Sequence, residues 1–511
     1  MKILDCKLRD GGYYTNWDFD KELVTTYFLS FNNLPVDYLE IGYRSQRMNG
    51  YLGEYFYCPI YVIEGIKKIS AKKLVIIIDE KDVRPANVQA LLKPCMGLID
   101  MVRIAIDPKN FKRALVLASS IKALGFQVGF NVMYMSKWAG EKEFLSLISE
   151  VNGIADYFYM VDSYGGVYPK DVKNIYDLVR SKTDVNIGFH GHNNLELALI
   201  NTLTAIECGA DIVDATITGM GRGAGNLKTE LLLTALNSKE QLDCDFNALS
   251  NVVDGFTKLQ EIYNWGTNLP YMVSGANSLP QKNVMEWVSK KFYSYNSIIR
   301  ALQNQKTGIK DNENCPIFLP DKKYDQVIIV GGGISINTNW NAIQYFVSQN
   351  PGMAIIHSSS RNSKLFQTLS NDQFFCLAGN EGNRLEKVFP IDGEFKGDCI
   401  LPPFPRKMGT YVPSFAKNRT YELKEVNFCD PPKDTHTALA LQTALELNAN
   451  RIFVIGYDGY AFDNISQIEM EIFNENEHLF DKYRAFTRND IIALTNTKYN
   501  NISSSSVYSF I

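Results

Sequence analysis

Five histidines occur in 511 residues, and two of them, His190 and His192, fall within three positions. On an extended strand, residues two apart project from one face. Two imidazoles on one face at a strand end are suited to ligating a divalent cation. Asp10, in the run KLRDGGYY (7–14), offers a hard carboxylate oxygen. Two histidines, one carboxylate and open or water positions suit Mn2+ or Mg2+, with Zn2+, Co2+ or Fe2+ as alternatives. Other polar groups follow short apolar runs: Arg9, Glu40, Arg44, Asp79, Arg103, Asp162, Ser163 and the loop GMGRGAGN (219–226). Lys7 opens a different chemistry, a Schiff base with a carbonyl substrate. Its offset from Asp10 and the Asp-His-His set make this the weaker reading.

A scaffold must bring such scattered residues to one place. β-branched and apolar runs read as strands: ILDCKLRD (3–10), DYLEIGY (37–43), KLVIIID (73–79), DMVRIAI (100–106), QVGFNVMYM (127–135), DYFYMVD (156–162), NIGFHGH ending at His192, and DIVDATI (211–217). Between them, segments such as KRALVLASSIKALG repeat apolar residues at helical spacing. Eight βα units in about 240 residues predict a (β/α)8 TIM barrel over residues 1–243. A doubly wound open sheet is the alternative. In such barrels the chemistry sits at the carboxyl ends of the strands, where these polar groups fall. A barrel also brings strands one and seven close, because only strand eight separates them. These strand registers point Arg44 and Arg103 to the mouth, to bind a carboxylate or phosphate bidentately. Internal ion pairs with Glu40 or Asp79 are the alternative.

Residues 244–305 read as a helical extension of the barrel, and the polar run KTGIKDNENCP (306–316) as a linker. A C-terminal Rossmann-like α/β domain is expected over 318–511, where YDQVIIVGGGIS (324–335) runs from a strand into a glycine turn, with a helix from about Asn339. GGGIS departs from GxGxxG, and Asp321 precedes the strand instead of following it. The polar end, NNISSSSVYSFI, is expected to be mobile.

The charge balance, 52 basic against 56 acidic residues, argues against a nucleic-acid or membrane-surface binder. The nine cysteines form no CxxC pair, which argues against a disulfide framework or a structural zinc site. The N-terminus lacks the apolar core of a signal peptide, and no apolar run reaches membrane-span length. A cytoplasmic enzyme is expected.

KLRDGGYY, EIGYRS (40–45), VDSYGGVYP (161–169), GFHGHNNLELALINT (188–202) and GMGRGAGN resemble the motifs of the pyruvate carboxylase/HMG-CoA lyase-like metallo-barrel superfamily. The resemblance covers about residues 1–300, is nearest the 4-hydroxy-2-oxovalerate aldolases, and extends to WGTNLPYMVSG (265–275). It implies Asp10, His190 and His192 as metal ligands, with Asn226 ligating or neighbouring the ion. It implies Arg9 as the group that stabilises a pyruvate enolate oxygen, and Ser163 as a substrate contact. Those aldolases use a histidine near LRDG for proton transfer; here Tyr13 stands in its place, as a catalytic phenol or an aromatic pocket lining. Tyr271 matches a second family tyrosine. The implied activity is a class II aldolase acting on pyruvate (or another 2-oxo acid) and an aldehyde. The appended C-terminal domain suggests an aldehyde other than acetaldehyde, one that is sugar-derived and tied to surface-polysaccharide synthesis. A homo-oligomer and a partner enzyme for the aldehyde are also expected. Two alternatives remain: a Claisen-type acyl-CoA condensing synthase, and a bifunctional protein whose C-terminal domain is a nucleotide-dependent transferase. That domain resembles sialyltransferase-like and pterin-pyrophosphokinase-like proteins through VIIVGGG and ALELNANRIFVIGYDG.

Overall fold

The computed structural model describes residues 1–290, 293–390, 395–430, 435–460 and 465–511. The chain divides into two compact units, Met1–Glu286 and Trp287–Ile511.

In the first unit, eight parallel strands close into a barrel: β1 (Lys2–Asp5), β2 (Tyr38–Tyr43), β3 (Lys73–Asp79), β4 (Met101–Ile106), β5 (Gln127–Val132), β6 (Tyr157–Asp162), β7 (Asn186–Gly191) and β8 (Ile212–Ala215). Closure comes from β1, which pairs with β2 (Leu4↔Tyr38) and with β8 (Lys2↔Ile212). The strands are nearly all apolar because both faces are covered. Alternate residues such as Leu4, Val75, Met101, Tyr159 and Ile212 fill the barrel. The opposite set, with Leu39, Ile76, Val102, Phe130 and Phe158, packs under the surrounding helices. Register shifts between Glu40 and Gly42 as β2 pairs with β3. Glu40 is fully buried there.

The first expected strand, 3–10, breaks in the middle. β1 ends at Asp5, and a helix, Lys7–Thr15, carries Arg9 and Asp10. The cause is local. Asp5 Oδ1 accepts the Lys7 amide at 2.9 Å and the Tyr27 hydroxyl at 2.7 Å, while Oδ2 accepts from the Ile217 amide at 3.0 Å. The chain therefore turns at the barrel rim, and Arg9 and Asp10 reach the mouth from a helix. The fifth strand is also shorter than 127–135; it stops at Val132, and Tyr134 has φ 63°.

The second unit holds a parallel sheet of β9 (Gln326–Val330), β10 (Ala354–His357), β11 (Gln373–Cys376), β12 (Asp398–Leu401), β13 (Thr420–Glu422), β14 (Arg451–Ile455), β15 (Ile491–Ala493) and β16 (Ser503–Ser504). Their order is β13-β12-β11-β10-β9-β14-β15-β16. Two expectations change here. The linker is anchored: Asp311 is buried against the Arg406 guanidinium at 2.5 Å. The polar C-terminus is also packed, since β16 pairs with β15 and Val507 is buried. All nine cysteines are free thiols. Among the described residues, no helix is long and apolar enough to cross a membrane.

Glycines make room inside the barrel. A Cβ on Gly129 would lie 2.9 Å from Arg103 Cγ, and one on Gly188 would collide with the Tyr159 ring. Gly188→Ala should destabilise the protein by about 1–3 kcal/mol, the usual cost of overpacking a closed core. Urea unfolding of wild type and variant checks this.

Candidate metal centre

The two histidines are fixed by what their Nδ1 atoms bond. His190 Nδ1 lies 2.8 Å from Asp214 Oδ2, and His192 Nδ1 lies 2.9 Å from the Asp162 carbonyl. A carbonyl and a carboxylate only accept, so both Nδ1 atoms carry hydrogen, and in the neutral ring the lone pair then falls on Nε2. Burial first, and then the neighbouring His190, pushes the pKa of His192 down to about 3, so its ring stays neutral. His190 Nε2 lies 3.6 Å from Asp10 Oδ2. Burial works to raise the Asp10 pKa, but the Arg9 guanidinium, helped by the Asn226 amide, outweighs it and holds the carboxylate below its ordinary pKa. Asn226 Nδ2 donates to Asp10 Oδ2 at 2.6 Å, while its buried Oδ1 has no hydrogen-bond partner among the described residues. A carboxylate, two imidazole lone pairs and an orphaned amide oxygen form a donor set that fits a divalent cation.

The Gly-rich loop delivers Asn226. Gly225 has φ 83°, and a Cβ there would strike the Gly219 carbonyl. The Asn226 amide bonds to Gly219 O at 3.0 Å, and Asn226 bridges to His192. Only glycine lets the loop fold back so tightly. A second grouping, Cys6, His190 and Asp214, has ligand atoms within 4.8 Å of one another. It is the poorer cage. Asp214 Oδ2 already accepts from Arg103 at 2.6 Å and from His190, and burial pushes the Cys6 thiol well above its ordinary pKa.

Arg9 bonds Asp10 and donates from Nε to Glu40 Oε2 at 2.6 Å. Arg103 is not at the mouth. It is fully buried, paired with Asp214 and 3.4 Å from Glu40, with Nε on Asn131 Oδ1 at 2.8 Å and its guanidinium over the Tyr159 ring at 4.3 Å. The internal ion pair thus holds, with Asp214 as main partner. Arg44 is also spent elsewhere, on the carbonyls of Leu91 (2.8 Å), Tyr57 (3.0 Å) and Cys58 (2.8 Å). Tyr271 is buried outside the cavity wall, next to Tyr14. Lys7 is sealed between Phe256 and Trp265, with Nζ on the Ile217 carbonyl at 3.1 Å. No carbonyl substrate reaches it there.

Arg9, Asp10, Tyr13, Ser163, His190 and His192 line one cavity of about 220 Å3. Ser163 Oγ accepts the Tyr134 amide at 2.9 Å, and the Tyr13 and Tyr43 hydroxyls are 3.0 Å apart. The cavity adds residues that motif reading passed over, chiefly Arg222, Lys81 and Lys282. Arg222 lies inside the quoted GMGRGAGN loop, and its guanidinium sits 5.0 Å above the Tyr13 ring. A charged residue inside a Gly-rich loop was the available signal. Lys282, in a helix beyond the barrel motifs, had none.

A closed parallel barrel thus presents two histidines, a carboxylate and an amide at its strand ends, a donor set that a divalent cation would fit. The family model described as HMGL-like matches residues 101–265. A 4-hydroxy-2-oxovalerate aldolase of Geobacillus genomosp. 3 is 31% identical over 249 residues, covering 46% of this chain and 70% of that protein. An oxaloacetate decarboxylase of Mycobacterium tuberculosis is 28% identical over 260 residues, covering 47% of this chain and 71% of that protein. The crystal structure of the N-terminal domain of a Bacteroides vulgatus protein, provisionally assigned as an aldolase, is 58% identical with a TM-score of 0.57. It covers 59% of this chain and all of that domain. The chain belongs to the HMGL-like family.

Asp10→Asn removes the anionic ligand and keeps the shape of the side chain. Mn2+ affinity, measured by calorimetry, should fall at least about tenfold with an unchanged circular dichroism spectrum.

Proposed function

We propose that the barrel is a divalent-metal-dependent aldolase that makes or breaks a carbon–carbon bond between pyruvate, as its enolate, and an anionic, sugar-derived aldehyde. The observation that carries this reading is the pairing of an open donor set with Arg9 on the wall of one small cavity. Asp10, His190, His192 and Asn226 would hold the ion. When bound, the ion supplies Lewis acidity toward the keto oxygen of pyruvate. Arg9, held in place by Glu40 and Asp10, presents a fixed cation where enolate charge develops. Such a charge acts on the reacting state more than on the resting substrate, so it lowers the barrier. Ser163 helps seat the substrate. Tyr13, hydrogen-bonded to Tyr43 on the cavity wall, is the phenol assigned to pass a proton at the aldehyde oxygen.

The acceptor's charge is inferred from Arg222. It forms no ion pair with the described residues and rests on Tyr13. Lys282 shares the same wall. A partly buried guanidinium without a carboxylate suits an anionic group on the substrate. Both named relatives act on 2-oxo acids. The M. tuberculosis relative supports a second reading, since decarboxylation of oxaloacetate also passes through the pyruvate enolate.

Deuterium exchange at the pyruvate methyl group, followed by proton NMR with Mn2+, tests the enolate directly. Exchange should appear with the ion, vanish with chelator and be lost in Arg9→Met; absence of metal-dependent exchange overturns the reading. Loss of oxaloacetate with no aldehyde turnover would select the decarboxylase. Arg222→Met should raise KM for carboxylated or phosphorylated aldehydes about tenfold or more, and leave uncharged aldehydes unchanged. Steady-state kinetics on matched substrates would show it.

A further inference from the structure

The second unit carries a crevice with no part in the barrel chemistry. In the sheet order, β9 lies between β10 and β14, so the strands progress one way from β9 to β13 and the other way from β14 to β16. At such a reversal, the loops leaving two neighbouring strands diverge to opposite faces of the sheet and open a gap at their carboxyl ends. A cavity of about 540 Å3 lies there, lined by residues following β9, β10 and β14. That volume is in the range of small-molecule sites.

Its floor is bare backbone. A Cβ on Gly331 would lie 2.5 Å from the Gly456 carbonyl, so glycine is required for the two strand ends to approach. The amides of Gly331 and Gly333 bond to Ile455 O and Gly456 O, each at 2.8 Å. Among the described residues the Gly332 amide has no partner. Two guanidiniums converge on this point. Arg361 Nη1 donates to the Gly332 carbonyl at 3.3 Å, and Arg384 Nη1 reaches Ser359 Oγ at 3.4 Å. Ser359 Oγ itself lies 3.3 Å from where a Cβ on Gly332 would stand. Arg384 is set by Glu381, a buried carboxylate that also accepts from the Ser360 amide at 2.8 Å and the Ser360 hydroxyl at 2.6 Å. Arg361 has no ion pair among the described residues. Asp458 and the half-buried ring of Tyr460 complete the wall.

Two arginines and a free amide over a glycine floor suit a phosphate, which accepts bidentate guanidinium bonds. Asp458 packs on Gly333 and accepts the Ser335 amide at 2.9 Å, so it shapes the floor, and the remaining space beside the Tyr460 ring suits a base that stacks. We propose that this crevice binds a nucleoside phosphate, with the phosphate at Arg361, Arg384 and Gly332 and the base against Tyr460.

Calorimetry on the full chain with nucleoside monophosphates, nucleoside diphosphates, uncharged nucleosides, inorganic phosphate and pyrophosphate tests this. At least one nucleoside phosphate should bind, and its nucleoside and inorganic phosphate should each bind at least about tenfold more weakly. Arg361→Ala should weaken the nucleotide about tenfold. Gly332→Ala should weaken it as well, because the methyl group occupies the floor and needs only a small shift of Ser359. Both variants should keep the wild-type circular dichroism and the barrel's pyruvate exchange. The proposal is overturned if no nucleoside phosphate binds in the millimolar range, if inorganic phosphate or pyrophosphate binds as tightly as the nucleotide, or if neither variant changes the affinity.

Discussion

The candidate centre depends on a ring of buried charges: Asp10 to Arg9, Arg9 to Glu40, Glu40 to Arg103, Arg103 to Asp214, Asp214 to His190, and His190 back toward Asp10. Buried ion pairs are poor sources of stability, because desolvation consumes most of the Coulomb gain. Losing one partner is costly, since it strands a charge in low dielectric. The ring therefore acts on geometry more than on stability. Each member is aimed by the next, and His190 cannot turn without unpairing Asp214. Its charge also matters. Three carboxylates face two guanidiniums, and His190 is held by the carboxylate of Asp214 through Nδ1. Asp10 lies on the side where His190, His192 and Asn226 offer donor atoms. A divalent cation held there would add positive charge to a ring with one more carboxylate than guanidinium.

The barrel interior is arranged to admit this ring. Arg103 and Tyr159 are too large for a layer of ordinary side chains, and Gly129 and Gly188 on neighbouring strands give up the space. The register shift after Glu40 belongs to the same arrangement, because bulges of this kind re-aim a side chain next to a site. Asp5 ends the first strand early and starts the helix that brings Arg9 and Asp10 over the mouth. Polar residues placed inside a barrel thus dictate where its strands stop.

What the sequence made legible followed from periodicity and local motif. The eight βα repeats and the histidines on one strand face are written in spacing, and spacing survives folding, whereas Asn226 was legible only through the family resemblance of its glycine loop. Less was legible where a residue's role depends on what lies across the barrel. Arg103 reads as a mouth residue from strand register alone; only the positions of Glu40, Asn131 and Asp214 make it an internal one. Arg44 follows a strand end as a ligand would, yet backbone carbonyls from two segments, Tyr57 with Cys58 and Leu91, engage its Nε and Nη1. Arg222 was hidden for the opposite reason. Its loop was conspicuous for glycine, and glycine drew the reading toward backbone conformation and away from the one cation in it. The C-terminal tail looked mobile because serine and asparagine dominate it, although pairing at the sheet edge needs only backbone groups and one apolar anchor, Val507.

The two glycine-rich turns show why composition alone does not assign a site. In GMGRGAGN, the glycines fold the loop onto itself so that a side chain, Asn226, arrives at the centre with a buried unpaired oxygen. In VGGGIS, the glycines bring two strand ends together and leave no side chain at all, so that the backbone of Gly332 is what a ligand would meet. In the proposed reading the first turn would serve a cation, which needs lone pairs, and therefore a residue delivered. The second would serve an anion, which needs N–H groups, and therefore residues removed. The same residue type supports opposite charges because the polarity of the exposed group, and not the flexibility of the turn, decides what binds.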